Sequence, residues 1–335
     1  MNDRARPGRP FQIKKRKERR GFSRQTDMLD FFYGISIPMQ KNRLLNKAAF
    51  VWNRFVRFLM RKLYPGYCRR HPVTSGVTEK DYGAPVIISF TSFPARMKTI
   101  ASTIESIMRQ TMKPNKIILW LTEDENPGQK IPAEVQPFLN AGLEVRFSRE
   151  NLKPHNKSFH TAALYPDSFI ITVDDDVLYS ESLVKRLFDT YRKSEKKTVV
   201  CEMAHEIRIG EDGKPKGYDQ CNWESIGISG PSHLLLAKGV SGVLYPPGFF
   251  ADEYFDLDAI KENCLMADDL WLKFMELVRG YKVKKTRAWA KNVYTSSKAS
   301  QKVSLTAINN GENRNNLYLS KLIEKYPAID WKHLN

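Results

Sequence analysis

Three consecutive aspartates, Asp174, Asp175 and Asp176, are the residues of this sequence most clearly suited to chemistry. They follow the run 169–173, which is rich in apolar β-forming residues and predicts a buried strand. Carboxylates this close repel one another, and burying them without a partner is costly. A divalent cation, Mn²⁺ or Mg²⁺, would compensate, because carboxylate oxygens suit hard ions. The simpler alternative is an acidic turn whose side chains are solvated.

The expected direction of these side chains follows from the strand that leads into them. Because side chains alternate along a strand, Asp174 and Asp176 are expected on one side and Asp175 on the other. Asp174 and Asp176 are therefore the predicted metal ligands, sharing the cation with a diphosphate. The carboxyl end of a strand is also where open α/β sheets bind their ligands.

A second acidic pair, Asp268 and Asp269, begins an apolar helical pattern that continues through residue 278. Acidic residues in the first turn of a helix are common, since they complement its dipole by a few tenths to ~1 kcal/mol. The functional alternative is a catalytic general base, held at a rigid helix start, that takes the proton of an acceptor hydroxyl. The sequence leaves open which of the two would be the base.

Two loops are candidates for contacts to a bound nucleotide. The segment FTSFPAR, which contains Thr91 and Arg96, directly follows the first predicted strand, so Arg96 could reach a phosphate or a ring edge. The segment KGVSGVLYPPG contains Gly242, and its glycines allow close approach of the backbone to a ligand. A surface arginine and a purely structural turn are the respective alternatives.

Strand and helix patterns alternate along the middle of the chain, which predicts an α/β fold with a mainly parallel sheet and helices on both faces. After residue 207 the pattern breaks into loops rich in glycine and proline, with a strong helix only at 267–279. Neither a P-loop nor a GxGxxG fingerprint is present. The predicted strands are 86–90, 116–121, 143–147, 169–173 and 198–201, and the predicted helices are 97–109, 132–141, 155–164 and 182–193.

Composition excludes several classes of protein. With 335 residues, of which 41% are hydrophobic, the chain can bury one large core or two smaller ones. The four cysteines form no CxxC pair and the six histidines no HxxxH pair, which argues against zinc sites and a disulfide framework. No secretory signal or spanning apolar run is apparent. We therefore expect a cytoplasmic protein, with peripheral association at the inner face of the cytoplasmic membrane as an option.

The positive charge is concentrated at the N-terminus. Residues 1–80 hold 20 lysines and arginines against 5 aspartates and glutamates, so most of the net charge of +17 lies there. Residues 1–27 are too charged to fold alone. We predict a basic, disordered arm over residues 1–46, a basic amphipathic helix and linker over 47–83, and a catalytic domain over 84–335.

The predicted helix over 47–64 carries Phe55, Phe58 and Leu59 at helical spacing, with arginines on another face. A basic helix with an aromatic side is typical of helices that lie on an anionic membrane surface, so residues 1–64 are a candidate membrane-binding segment. The alternative is a helix packed on the catalytic domain, whose arginine stems cover apolar surface.

The chain from about residue 85 to 326 resembles the GT-A (Rossmann-like) nucleotide-diphospho-sugar glycosyltransferases, particularly bacterial enzymes of surface-polysaccharide or lipooligosaccharide assembly. The resemblance rests on four segments that occur in the family's order: ISFTSFPARMKTIASTIESIMRQTMKPNKIILWL, YPDSFIITVDDDVLY, GVSGVLYPPG and ADDLWL. It covers most of the chain and leaves out the basic segment before about residue 80.

The resemblance implies roles for individual residues. Asp174 and Asp176 would be the DxD pair for metal and sugar nucleotide, with Asp175 beside them at the donor. Asp269 would correspond to the acidic base at the helix start, although the family's usual Glu-Asp is Asp-Asp here. Lys157 lies where the family has a polar or basic stretch facing the donor.

The implied reaction is metal-dependent transfer of a sugar from a nucleotide-sugar, with a UDP-sugar as the first candidate, to a glycan or lipid-linked acceptor. An available base favours inversion. One alternative is a nucleotidyltransferase, which usually has a glycine-rich phosphate loop after the first strand, where residues 91–96 contain no glycine. Another is a nucleic-acid-binding protein that uses the basic arm. The three aspartates argue against nucleic acid as a partner, because they repel phosphate unless metal intervenes.

Overall fold

The computed structural model describes residues 28–38, 42–288, 293–297 and 313–334, and it shows a mixed α/β chain. A seven-stranded sheet has the order β3-β2-β1-β4-β8-β5-β9. β8 is antiparallel to β4 and β5, and the other neighbours are parallel. β6 and β7 form a separate antiparallel pair. The strands are β1 (Val86–Thr91), β2 (Lys116–Thr122), β3 (Leu143–Ser148), β4 (Phe169–Thr172), β5 (Thr198–Cys201), β6 (Ala204–Glu206), β7 (Leu235–Ala237), β8 (Val243–Tyr245) and β9 (Lys282–Lys285).

Helices cover both faces of the sheet, as predicted. Alternate residues of β4 divide between two cores. Ile170 belongs to the core that includes the helices Asp268–Val278 and Arg314–Lys325, and Ile171 to the core that includes the helices Met97–Met108 and Leu183–Tyr191. Burial on both faces explains why the strands read as almost uninterrupted apolar runs. The helices in the described residues are α1 (Met28–Ile35), α2 (Arg43–Arg70), α3 (Met97–Met108), α4 (Asn156–Leu164), α5 (Leu183–Tyr191), α6 (Leu257–Asn263), α7 (Asp268–Val278) and α8 (Arg314–Lys325).

Most predicted elements are confirmed to within one or two residues. The exception in the sheet region is 132–141, where only Gln136–Ala141 is helical, as a 3-10 helix. Helices α6 and α8 were not predicted. The first has only seven residues, and the second is mainly polar, with Leu319 and Leu322 as its buried residues. Neither helix therefore has apolar residues at a regular helical spacing that would have predicted it.

The expected boundaries at the N-terminus need correction. Residues 1–27 lie outside the described residues, but 28–35, which were expected in the disordered arm, form α1. A buried carboxylate accepts hydrogen bonds from the first N–H groups of this helix, because the Leu29 and Asp30 amides donate to Glu181 at 2.8 and 2.6 Å. Satisfying these otherwise unpaired donors fixes the start of α1 against the main domain.

Helix α2 is longer than predicted at both ends. The side chain of Asn42 accepts hydrogen bonds from the Leu44 and Leu45 amides and caps its start. At its other end the helix continues past Pro65 to Arg70, so the expected linker from Tyr64 was wrong over this part. Tyr64 and Cys68 are buried, so packing holds these last turns in place.

One face of α2 packs on the rest of the protein, which was one of the two alternatives considered for this helix. Val56, Met60 and Tyr64 join a small core with α1, Leu178 and Tyr294. The face that packs is not the one built on Phe55 and Phe58, because both side chains are exposed. None of the described helices is long and apolar enough to cross a membrane.

Candidate functional site

Asp174, Asp175 and Asp176 lie in a turn that begins after β4 ends at Thr172. The expected alternation of their side chains was therefore wrong, because the chain has left the strand. Asp175 and Asp176 both face Arg96, and the Asp176 Oδ2 lies 3.6 Å from the Arg96 Nη2. Asp174 faces elsewhere, with its Oδ1 3.0 Å from the Lys157 Nζ. Two basic residues thus divide the three carboxylates between them.

Asp175 is buried and bound on both oxygens by the loop that follows β1. The Ser92 hydroxyl donates to its Oδ2 and the Arg96 guanidinium to its Oδ1. Burial raises the pKa of Asp175, although Arg96 and Ser92 oppose that shift. Its role as a donor contact stays a prediction. Its observed contacts join the β1 loop to the β4 turn and position Arg96.

Lys157, in the first turn of α4, is the centre of the site. It is only 4% exposed, and its Nζ lies 3.0 Å from the Asp174 Oδ1 and 2.9 Å from the Asp268 Oδ2. Burial alone would lower the pKa of Lys157, but Asp174, Asp268 and Asp269 raise it well above its ordinary value. A buried ammonium ion therefore links the β4 turn to the start of α7.

The two aspartates at the start of α7 have different environments. Burial would raise the pKa of Asp268, but the neighbouring ammonium of Lys157 lowers it below its usual value. Burial and the charge of Asp268 raise the pKa of Asp269 to about 7. The Asp269 Oδ1 accepts a hydrogen bond of 3.0 Å from the Gly239 amide. Asp268 is thus a stably charged ion-pair partner, whereas Asp269 can exchange a proton near neutral pH.

The loop at 239–242 approaches this cluster so closely that a side chain would not fit. A Cβ added at Gly239 would lie 2.8 Å from the Asp269 Oδ1 and 2.9 Å from the Lys157 Nζ. Buried Tyr179 joins the same loop to the β4 turn. Its hydroxyl accepts from the Asp174 amide at 2.7 Å and donates to the Val240 carbonyl at 3.0 Å.

Sequence reasoning missed Gly239 and Tyr179. The glycine lies in the segment that was singled out, but nothing in its spacing distinguished it from Gly242. Tyr179 follows Asp174 by five residues in a segment without regular periodicity, so only the fold shows that the two meet.

Thr91 and Gly242 have contacts within the protein. The Thr91 hydroxyl donates to the Trp120 carbonyl at 2.9 Å, which helps to hold the end of β1 to β2. Gly242 has a φ of +92°, and a Cβ there would lie 3.0 Å from Leu183. The structure does not bring these two residues to Lys157, and their contact with a donor stays a prediction.

The carboxylates could hold the expected Mn²⁺ or Mg²⁺ ion only if a substrate and water supplied its other ligands. Within the described ranges, no group of three or more acidic, histidine or cysteine side chains could hold a metal. Mg²⁺-type sites, however, often use one or two carboxylates and take their other ligands from substrate phosphates and water. The Asp174 side chain is 29% exposed and could serve in this way. Asp176 faces Arg96 instead, so its part as the second ligand stays a prediction.

A cavity of about 300 Å³ lies beside the cluster rather than around it. It shares Tyr179 with the site. Its charged groups are already paired, since the Arg186 Nη2 lies 3.0 Å from the Glu202 Oε2. The reactive groups described above do not line it, so we place the candidate site at Lys157 and not in this cavity.

Comparison with known proteins adds no family to this picture. No protein-family model matches the sequence, and no curated protein matches it. The resemblance to glycosyltransferases therefore stays a prediction that rests on the four sequence segments.

Proposed function

We propose that this protein transfers a sugar from a nucleotide-sugar to a hydroxyl group of a glycan or lipid-linked acceptor, on a sheet of the GT-A type. The observation that carries the proposal is the cluster around Lys157, which gathers Asp174, Asp268 and Asp269 next to the Gly239 loop. A partly buried carboxylate whose pKa is raised to about 7, as that of Asp269 is, is typical of catalytic sites when it lies beside fixed positive charge.

The position of the cluster in the sheet supports a nucleotide ligand. In the sheet, β2 and β3 follow one another on one side of β1, whereas β4 lies on the other side of β1. The direction in which successive strands are added therefore reverses between β1 and β4. Arg96 follows β1 and Asp174 follows β4. Ligands of open α/β sheets bind in the crevice outside the carboxyl ends of the strands at such a reversal.

The charges of the site suit a diphosphate. Arg96 offers a guanidinium whose Nε is buried and has no hydrogen-bond partner among the described residues, and Lys157 offers a second fixed cation. A Mn²⁺ or Mg²⁺ ion held by Asp174 and Asp176 would neutralise the negative charge of the departing diphosphate. Arg96 and Lys157 would orient the donor, and their positive charges would keep the three aspartates from repelling it.

The proposed reaction is a single displacement that inverts the anomeric carbon. The acceptor oxygen bonds to that carbon, the bond from the carbon to the diphosphate oxygen breaks, and the nucleoside diphosphate leaves. Asp269 takes the acceptor proton, for which a pKa of about 7 is well matched to neutral pH. Asp268 is the less suitable base, because Lys157 lowers its pKa.

Ligand binding tests the proposal directly. We expect one or more of UDP-, GDP-, CMP- and dTDP-sugars to raise the thermal midpoint, because a ligand that binds the native state stabilises it. Mn²⁺ should enhance the shift, and EDTA should reverse that enhancement. No shift with any of these donors, with or without Mn²⁺, would contradict the proposal.

A variant of Asp174 distinguishes donor binding at the candidate site from nonspecific effects on stability. Asp174→Ala should remove the Mn²⁺-dependent part of the donor shift and abolish transfer, while the fold is retained because Lys157 keeps its buried ion pair with Asp268. Asp189→Ala is the matched control, since Asp189 is an exposed aspartate that pairs with Lys185 on α5. Unchanged donor binding and turnover in Asp174→Ala would place the donor elsewhere.

A further inference from the structure

The outer face of α2 carries an apolar stripe directly opposite the face that packs on the protein. Residues three and four apart share one face of a helix, so Val51, Phe55 and Phe58 form a row opposite Val56 and Met60. Phe55 and Phe58 are 50% and 55% exposed. Large aromatic side chains in a continuous exposed row are unusual for a surface that meets only water.

A basic rim borders this stripe. Arg43, Lys47 and Arg54 are exposed along one edge of it. The whole helix of 28 residues holds eight lysines and arginines and no aspartate or glutamate. Aromatic residues with a cationic border, on a helix that cannot span a bilayer, are typical of helices that lie in the interfacial plane of a membrane.

We propose that the exposed face of α2 docks on the surface of an anionic lipid bilayer. The apolar stripe would enter the boundary between headgroups and acyl chains, and the rim would bind anionic headgroups, which attract each nearby basic residue. A second copy of the chain is a poorer occupant, because pairing two such faces would bring two helices without acidic residues against each other.

Docking would also fix the orientation of the candidate site. The opposite face of α2 packs on Leu178, two residues after Asp176, and the Tyr33 hydroxyl of α1 donates to the Leu178 carbonyl at 2.6 Å. The helix is thus attached to the turn that holds the aspartates. If the proposed function holds, this attachment would keep the site next to a lipid-linked acceptor.

Vesicle flotation of the full chain, without sugar nucleotide, tests the proposal. We expect the protein to float with vesicles of phosphatidylcholine and phosphatidylglycerol at low salt, and to float much less with phosphatidylcholine alone or at high salt. The double variant Phe55→Ser with Phe58→Ser, and separately Lys47→Glu with Arg54→Glu, should each lower the partition constant about tenfold or more.

Controls separate docking from loss of fold. Leu317→Ser on α8 removes a similarly exposed apolar residue and should leave flotation unchanged. Circular dichroism and the thermal midpoint should match wild type in all variants. Failure of the wild-type protein to float, flotation of the Phe55/Phe58 variant at the wild-type level, or a dimer that only this variant dissociates would overturn the proposal. Because donor binding is measured separately, none of these outcomes would decide the proposed function.

Discussion

Replacing Lys157 with methionine is the sharpest test of the buried charge cluster, because methionine keeps much of the volume and removes the charge. The Lys157 and Asp268 side chains are only 6% and 9% exposed, so solvent screens their ion pair little. Removing one partner of such a buried pair costs about 3–5 kcal/mol, since the other charge is left unpaired. Asp174 is more exposed, so its contact with Lys157 adds at most about 1 kcal/mol.

Urea unfolding, followed by the fluorescence of buried Trp120 and Trp271, would measure this loss. The matched control is Lys261→Met, because Lys261 pairs with Glu150 at 3.0 Å, close to the 2.9 Å of the Lys157–Asp268 pair, but both of its side chains are about half exposed. We expect this control to lose less than about 1 kcal/mol. Adding Asp268→Asn to the Lys157 variant should recover part of the loss, because it removes the unpaired buried charge.

The pH dependence follows from the lowered pKa of Asp268. A carboxyl with a lowered pKa in the folded state adds stability above its unfolded pKa of about 3.9, and this stability is lost as the pH falls through the folded pKa. The difference in unfolding free energy between wild type and Lys157→Met should therefore be largest near neutral pH and shrink below about pH 4. A difference under about 1 kcal/mol at neutral pH, or one that does not shrink in acid, would refute the buried ion pair.

Two further predictions concern the proposed base and the loop beside it. Asp269→Asn should lower kcat about 10²–10⁴-fold with little change in donor binding. Wild-type activity should fall as the pH drops through about 7, where Asp269 becomes protonated, and Asp268→Asn should move this limb of the pH–rate profile to lower pH by removing the charge that raises the pKa of Asp269. An unmoved limb in Asp268→Asn, or full activity in Asp269→Asn, would rule out this assignment. Gly239→Ala should lower kcat about tenfold to a hundredfold, because its Cβ would displace Asp269 and Lys157. Gly34→Ala is the control, because a Cβ there meets no atom of the described part of the chain within 4 Å, and equal activity in both variants would contradict the close approach of the loop.

Much of the fold could be predicted from the sequence because its signals are local. The apolar runs of β1, β2 and β4 and the helical period of α3 and α7 record backbone preferences and burial over a few residues. The same local patterns located Asp174–Asp176 after a strand and Asp268 and Asp269 at a helix start. Where the local signal was weak, as in the seven residues of α6, the prediction failed.

Only the tertiary structure decided which of these groups meet. Lys157 had a weak basis in sequence, yet it contacts Asp174 and Asp268, which come from different elements. Such contacts depend on strand order and helix placement, which short-range patterns do not specify. For the same reason the sequence could not distinguish the environments of Asp268 and Asp269. Burial would raise the pKa of Asp268, but the neighbouring ammonium of Lys157 lowers it, whereas burial and the charge of Asp268 raise the pKa of Asp269.

The two faces of α2 show the same division. The sequence determined a basic helix with aromatic residues, because composition and helical period are local properties. It could not determine which apolar row would be buried, because both Val56 with Met60 and Phe55 with Phe58 have helical spacing. The choice was made by the surfaces available for packing, since α1, Leu178 and Tyr294 cover one row and leave the other exposed.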